Sequence, residues 1–253
     1  TASVCLAAAL TATWLSRHMG GNPNSIGLTC YAHPNSEHLD PEVITADGAQ
    51  DPTDIAFSND GMTYFTANQT MQSGYDVTMY KLTSPFDLST LRNDCSQSRF
   101  DLGLLADDGG AASARGSNGS VWGKLFDMEF SPSGHKLFLV NGPSYIMQFS
   151  LSTPFDLKTA KFDTFQDIGP NYGSVAFNRD GTKMFWLEGG GSDSADTTKI
   201  ETYDLGSPFD ITSLTLVHTL DLSGTALNSA DGNQFSVDMN FNDTGSAFYI
   251  LIK

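Results

Sequence analysis

Basic residues are scarce: 13 Lys and Arg stand against 29 Asp and Glu in 253 residues, a formal net charge of −16. Such a surface repels phosphate backbones and anionic headgroups, which excludes nucleic acid and polybasic membrane docking. Cysteine is scarce as well. Cys5, Cys30 and Cys95 allow at most one internal disulfide, and no pair has the C-x-x-C spacing of a metal or redox site. Long apolar runs are lacking: the run at residues 4–12 falls far short of the roughly 20 residues that cross a bilayer. No membrane span is expected, and residues 1–25 read as an apolar arm that packs on the domain or on a neighbouring subunit. The usual supports of nucleophilic and nucleotide chemistry are missing too, with no G-x-S-x-G elbow, Walker loop or G-x-G-x-x-G fingerprint.

What is present is glycine, 24 of 253 residues, with 11% aromatic and 40% hydrophobic side chains. That mixture suits many short strands joined by tight turns around a sizeable core, an all-β chain. One phrase recurs along it. An alternating strand, a turn and a second alternating strand occupy Ile55 to Phe65, Met128 to Phe138, Val175 to Phe185 and, more weakly, Met239 to Tyr249. Each copy carries a glycine four residues after its first Phe (Gly61, Gly134, Gly181 and Gly245), where a hairpin turn calls for a positive φ. A third alternating strand then runs into Pro85-Phe86-Asp87, Pro154-Phe155-Asp156 or Pro208-Phe209-Asp210, where proline sets φ and the aspartate bonds turn amides. A fourth strand ends near Asp101, Asp167 or Asp221. Four antiparallel strands repeated about an axis make the blade of a β-propeller.

The spacings extend the repeat toward the N-terminus. Pro34 to Asp47 spans 13 residues, as do Pro154 to Asp167 and Pro208 to Asp221, and Asp47 lies 10 residues before Phe57, as Asp167 lies 10 before Phe177. Residues 26–47 are therefore expected to supply the third and fourth strands of a blade whose first hairpin is the last copy, closing a four-bladed ring within a domain at 26–253. The competing count takes residues 1–25 as a degenerate hairpin, because Leu6 and Trp14 are separated like Phe57 and Phe65. It implies five blades, or a part of a larger propeller.

Together, the Phe-Ser-x-Asp-Gly and Leu-Ser-x-Pro-Phe-Asp-Leu phrases resemble the tandem β-propeller repeats of secreted bacterial and phage-associated proteins. The resemblance covers about residues 26–253 and implies an extracellular or virion-surface protein. Propellers of this kind serve as scaffolds, adhesins and occasionally enzymes, so the fold alone does not choose among them.

Function is expected where the connections vary, on the face bearing residues 67–77, 104–122, 189–198 and 223–235. Its acids are Asp76, Asp107, Asp108, Glu188, Asp193, Asp196 and Asp231. The pairs Asp107 with Asp108 and Asp193 with Asp196 are candidate calcium ligands, since hard cations take several oxygens, against a reading as solvated acidic loops that lack D-x-D-x-D-G spacing. Trp122 and Trp186 adjoin these connections and are candidate platforms for a glycan, against a place in the core. The sequons at Asn68, Asn118 and Asn242 are candidate glycosylation sites. His33, Glu37, His38 and Asp40 lack H-E-x-x-H spacing and fall at a connector, which reads as an exposed turn. The repeated aromatics are expected between blades.

The expected function is a non-catalytic extracellular or virion-surface propeller, structural or adhesive, acting through protein or glycan contacts, with self-assembly through residues 1–25. It needs no cofactor beyond the candidate calcium. The alternatives are a lactonase-like or glycoside-active propeller enzyme, with metal and acids near the central opening, and a carbohydrate-binding module.

Overall fold

The computed structural model describes residues 52–68, 77–90, 98–100, 125–141, 145–168, 173–188, 199–222, 236–242 and 244–252. Every strand among them belongs to an antiparallel sheet. Blade I holds β1 (Pro52–Phe57), β2 (Thr63–Asn68), β3 (Val77–Lys81) and β4 (Ser98–Phe100) in sequential order. Blade II holds β5 (Leu125–Phe130), β6 (Lys136–Asn141), β7 (Tyr145–Leu151) and β8 (Ala160–Asp167). Blade III holds β9 (Gly173–Phe177), β10 (Lys183–Glu188), β11 (Lys199–Leu205) and β12 (Leu214–Asp221). A half-blade follows, the hairpin of β13 (Ser236–Phe241) and β14 (Phe248–Ile252). The first strands stand side by side, β1 against β5, β5 against β9 and β9 against β13. This is the all-β propeller architecture of four-stranded antiparallel blades expected from the repeat. The segments expected to complete the half-blade, residues 26–47, and the arm at 1–25 lie outside the described residues.

The repeated hairpin forms for the reason its glycine suggests. Gly61, Gly134, Gly181 and Gly245 all have φ near +70° (66° to 71°), a region that costs an L-residue roughly 1–2 kcal/mol. In blade II the turn is closed by the Gly134 amide donating to the Ser131 carbonyl (2.8 Å) and by the Ser131 amide donating to Lys136 (3.0 Å). The Pro-Phe-Asp connector behaves as expected at its aspartate: Asp87, Asp156 and Asp210 accept from the amides of Ser89, Lys158 and Thr212 at 2.9–3.1 Å. It departs from expectation at its phenylalanine. Among the described residues, Phe86, Phe155 and Phe209 are the non-glycine residues with positive φ, 55–56°, a conformation that persists only where the surroundings over-determine it. They do here: each Phe amide donates to the carbonyl of the turn glycine (2.9–3.0 Å), and each ring lies over that glycine so closely that a Cβ would collide with it.

The core lies between the sheets. One cluster joins Phe65, Ala67 and Met79 of blade I to Met128, Leu137 and Phe149 of blade II. A second joins Phe138 and Ile146 of blade II to Val175, Met184 and Trp186 of blade III. A third joins Leu187 and Ile200 of blade III to Met239 of the half-blade. The expected inter-blade aromatic contacts recur: Phe65 meets Phe130 at 4.6 Å, Phe138 meets Phe177 at 4.3 Å and Phe185 meets Phe241 at 4.6 Å between ring centroids. Phe57 and Tyr64 differ by pairing within blade I, at 5.2 Å.

Candidate functional site

Three residues before the first Phe of each copy stand Asp54, Asp127, Ser174 and Asp238. On the three acidic strands the ladder slips at this point, between Pro52 and Asp54, Leu125 and Asp127, and Ser236 and Asp238. A bulge of this kind re-aims a side chain. On β9 the register runs unbroken through Ser174.

The re-aimed groups link neighbouring blades. Asp54 accepts from the Met128 amide through Oδ2 (2.8 Å) and from the Ile55 amide through Oδ1 (2.7 Å). Asp127 repeats the pattern, accepting from Val175 through Oδ2 (2.5 Å) and from Met128 through Oδ1 (3.0 Å). Ser174 performs the same task with a hydroxyl, accepting from the Met239 amide at 3.1 Å. Its Oγ also lies 3.5 Å from Asp238 Oδ1.

These groups border a cavity of about 410 Å³ between β1, β5 and the β13–β14 hairpin, lined by Asp54, Asp127, Glu129 and Asp238 with Phe57, Phe130 and Tyr249 among the apolar walls. Among the described residues, no Lys, Arg or His lines it. Burial and mutual repulsion therefore raise the carboxyl pKa values. Asp127 is pushed up to about 7, first by burial and then by the Asp238 charge. Glu129 reaches about 8, by burial and then by Asp127 and Asp238. Asp54 is raised well above the ordinary carboxylate range, by burial and then by the same two aspartates. Among the described residues, no three His, Cys, Asp or Glu side chains come together in an arrangement that holds a metal ion.

Of the candidate residues named from sequence, the described ones, Asn68, Trp186, Glu188 and Asn242, do not line this cavity. Asp107, Asp108, Asp193, Asp196, Trp122 and Asn118 lie outside the described residues, as do Asp76, Asp231 and the His33 to Asp40 cluster. Trp186 corrects its expectation as a glycan platform. It is fully buried between blades II and III, with its ring against Gly173, so neither face is open to a sugar. The cause is strand alternation, which turns it inward beside Met184. Glu188 is buried and paired with Lys199 at 3.0 Å, which also reaches Glu201 at 2.8 Å. Asn68 ends β2, and Asn242 holds the last hairpin turn, accepting from the Ser246 amide at 2.9 Å. The aspartates bordering the cavity were legible in principle: an acid three residues before the first Phe, in three copies of four, is a periodic signal.

No protein-family model and no curated protein sequence matches the chain. Solved structures do. A functionally unknown protein from Desulfotomaculum acetoxidans is 15% identical, with a TM-score of 0.46 over 79% of this chain and 51% of its own. The β-propeller domain of Cps50 (Swd1) from Myceliophteria thermophila is 11% identical, with a TM-score of 0.42 over 76% of this chain and 49% of its own. A putative 6-phosphogluconolactonase from Bacteroides uniformis is 15% identical, with a TM-score of 0.43 over 79% of this chain and 56% of its own. The chain spans about half the length of these structures.

Proposed function

We propose that this chain is a non-catalytic propeller, structural or adhesive, which acts by protein or glycan contact outside the cell or on a virion surface. One observation carries the reading: the polar groups on the inner strands act as blade-to-blade fasteners. Both oxygens of Asp54 and both of Asp127 accept backbone amides, and Ser174, which brings no charge, does the same for Met239. A position that works equally well as Asp or Ser is selected for accepting a hydrogen bond, whereas acid–base chemistry would require the carboxyl. The acidic surface and the sequons suit an extracellular setting, and membership in the tandem-repeat family is part of the same proposal. Calcium at Asp107, Asp108, Asp193 and Asp196, and a glycan at Trp122, belong to it as contacts of the variable face.

The test pairs two measurements on the intact chain. Light scattering should give a particle several times the 27.2 kDa chain mass; a strict monomer would count against assembly. A screen of lactone and glycoside hydrolysis should be blank. Turnover that disappears in Asp127→Asn would replace the reading with an enzymatic one.

A further inference from the structure

The outer strand of a blade presents a row of backbone groups that another chain can pair with, and a short length or a charge on that strand discourages it. β4 is short, three residues with Arg99 among them. β8 is long and carries a charge at its bulge. The ladder between third and fourth strands slips at the same point in blades II and III, leaving one extra residue on the outer strand, Asp163 in β8 and Val217 in β12. Asp163 accepts there from Lys136 Nζ (2.8 Å), Ser150 Oγ (2.6 Å) and Gln148 Nε2 (3.0 Å). Both residues stand nine places after the connector proline, as does Asp94 in the first copy. Of the three copies, the one in blade III puts an apolar side chain at this place, and Val217 is 47% exposed. Its neighbours on β12 are bare too: Leu216 is 51% and Leu220 38% exposed. They lie on opposite faces of the sheet, Leu216 beside Tyr203, which packs toward blade II, and Leu220 beside Ile200, which packs toward the half-blade. From Ile211 to Leu220 the sequence holds no Lys, Arg, Asp or Glu. β14 is also bare, but it belongs to a half-blade; β12 is the fourth strand of a complete blade, and the repeat has no further strand to lay beside it.

We infer that β12 is a contact between two copies of this chain, pairing antiparallel with β12 of the second copy about a two-fold axis near Val217. Charge selects the occupant. A chain of net charge −16 repels its own copies everywhere except where acids are missing, and the stretch from Ile211 to Leu220 has none. Symmetry sharpens the requirement. An antiparallel pair of identical strands sets each residue near the axis close to its own copy, so a carboxylate at the bulge would meet a second carboxylate, and like charges across a ladder destabilise it. Asp163 therefore bars β8 from the contact that Val217 permits to β12. The pairing satisfies the free edge of both strands and takes Leu216 and Val217 of both copies out of water. This inference rests on the contact reading proposed above and names one of its partners, a second copy of the chain.

The test compares the intact chain with Val217→Asp, which gives blade III the residue that blade II carries at the same bulge. Light scattering over a dilution series should show the unmodified chain associating, and Val217→Asp should at least halve the particle mass while its circular dichroism and Tm stay unchanged. Added salt should strengthen the association of the unmodified chain, because it screens the repulsion between acidic copies and leaves apolar pairing intact; weakening by salt would overturn the inference in favour of an ionic contact. A Val217→Asp particle as heavy as the unmodified one would overturn it in favour of another surface, with the contact reading untouched. An unmodified chain that stays at monomer mass at every concentration would overturn it as well, while the contact reading itself stands or falls with the hydrolysis screen. Hydrogen exchange asks the same question without any substitution. Protection of the amides of β12 should rise with protein concentration, while that of β8 stays constant. Protection of β12 that does not depend on concentration would overturn the inference in favour of cover supplied by the same chain.

Discussion

At the scale of single residues, the molecule is held by positions whose chemistry is narrowly specified. Gly134 has a positive φ and the Phe155 ring directly above it, so Gly134→Ala meets both a backbone penalty and a steric one. Its cost is expected to exceed ~3 kcal/mol by urea unfolding, while Gly245→Ala, with open space above it among the described residues, should cost only the ~1–2 kcal/mol of the backbone term. Equal costs would show that the ring contact contributes nothing. Asp127 offers a second contrast. Asp127→Asn keeps an acceptor for Val175, but Asp127→Ala leaves that buried amide unpaired, at about 1–3 kcal/mol.

The carboxyls around the cavity also predict the pH response. Their folded pKa values are raised above those of an unfolded chain, to about 7 for Asp127 and about 8 for Glu129. The folded state therefore binds more protons, and this contribution to stability is complete below about pH 4 and lost as pH rises through 7 and 8. Asp54 on β1 faces the same cavity, and its raised pKa reinforces the trend, with the Asp238 charge contributing to all three shifts. Thermal unfolding should give a higher Tm near pH 5 than near pH 9, and Glu129→Gln should raise the Tm at pH 9 and flatten the profile. A Tm that climbs steadily from pH 5 to pH 9 would contradict the assignment.

At the scale of elements, a connector can tie a blade both to itself and to its neighbour. The connector of blade II illustrates it. Phe155 donates its amide to Gly134 within the blade and stacks against Phe130 at 5.3 Å and Phe65 at 6.5 Å, the latter from blade I. Phe155→Ala should thus cost ~3 kcal/mol or more and loosen the blade I–II boundary, visible as faster hydrogen exchange in both β2 and β5. Exchange confined to β5 would argue that the ring serves only its own blade. Gln148 is the polar counterpart on the other side. Its Oε1 accepts from the Ile211 amide of blade III at 2.9 Å while its Nε2 reaches Asp163 at 3.0 Å. The hairpins and connectors were readable in the sequence because both depend on local chemistry, glycine at a turn and proline before an aspartate. The positive φ of Phe155 was not, because only the packing of its ring across Gly134 compensates the strain.

At the scale of the whole molecule, the core is a set of seams between sheets, so a single buried side chain can matter to two blades at once. Trp186 is the largest of them, with no exposed surface. With Trp14 and Trp122 replaced by Phe, its fluorescence should be blue-shifted and resistant to soluble quenchers, and Trp186→Ala should cost ~3–5 kcal/mol. Ready quenching in the folded protein would place the indole at the surface and revive the glycan-platform reading. The seams also account for what the acids do. At the inner strands, Asp54, Asp127 and Ser174 bond the next blade's backbone, which turns four similar sequence copies into one cooperative arrangement instead of a string of independent sheets.

The sequence by itself determined the all-β class, the hairpin turns at Gly61, Gly134, Gly181 and Gly245, the Pro-Phe-Asp connectors and the inter-blade role of Phe65, Phe138 and Phe185, because each follows from a two-residue period or a turn requirement that acts within a few residues. Only the tertiary structure decided that Asp54, Asp127 and Ser174 act as one set, that burial raises the carboxyls of Asp127 and Glu129, and that Trp186 belongs to the core. These outcomes depend on which strand stands beside which, and on how much water the neighbouring blades exclude, and neither quantity is written in the spacing of residues along a single repeat.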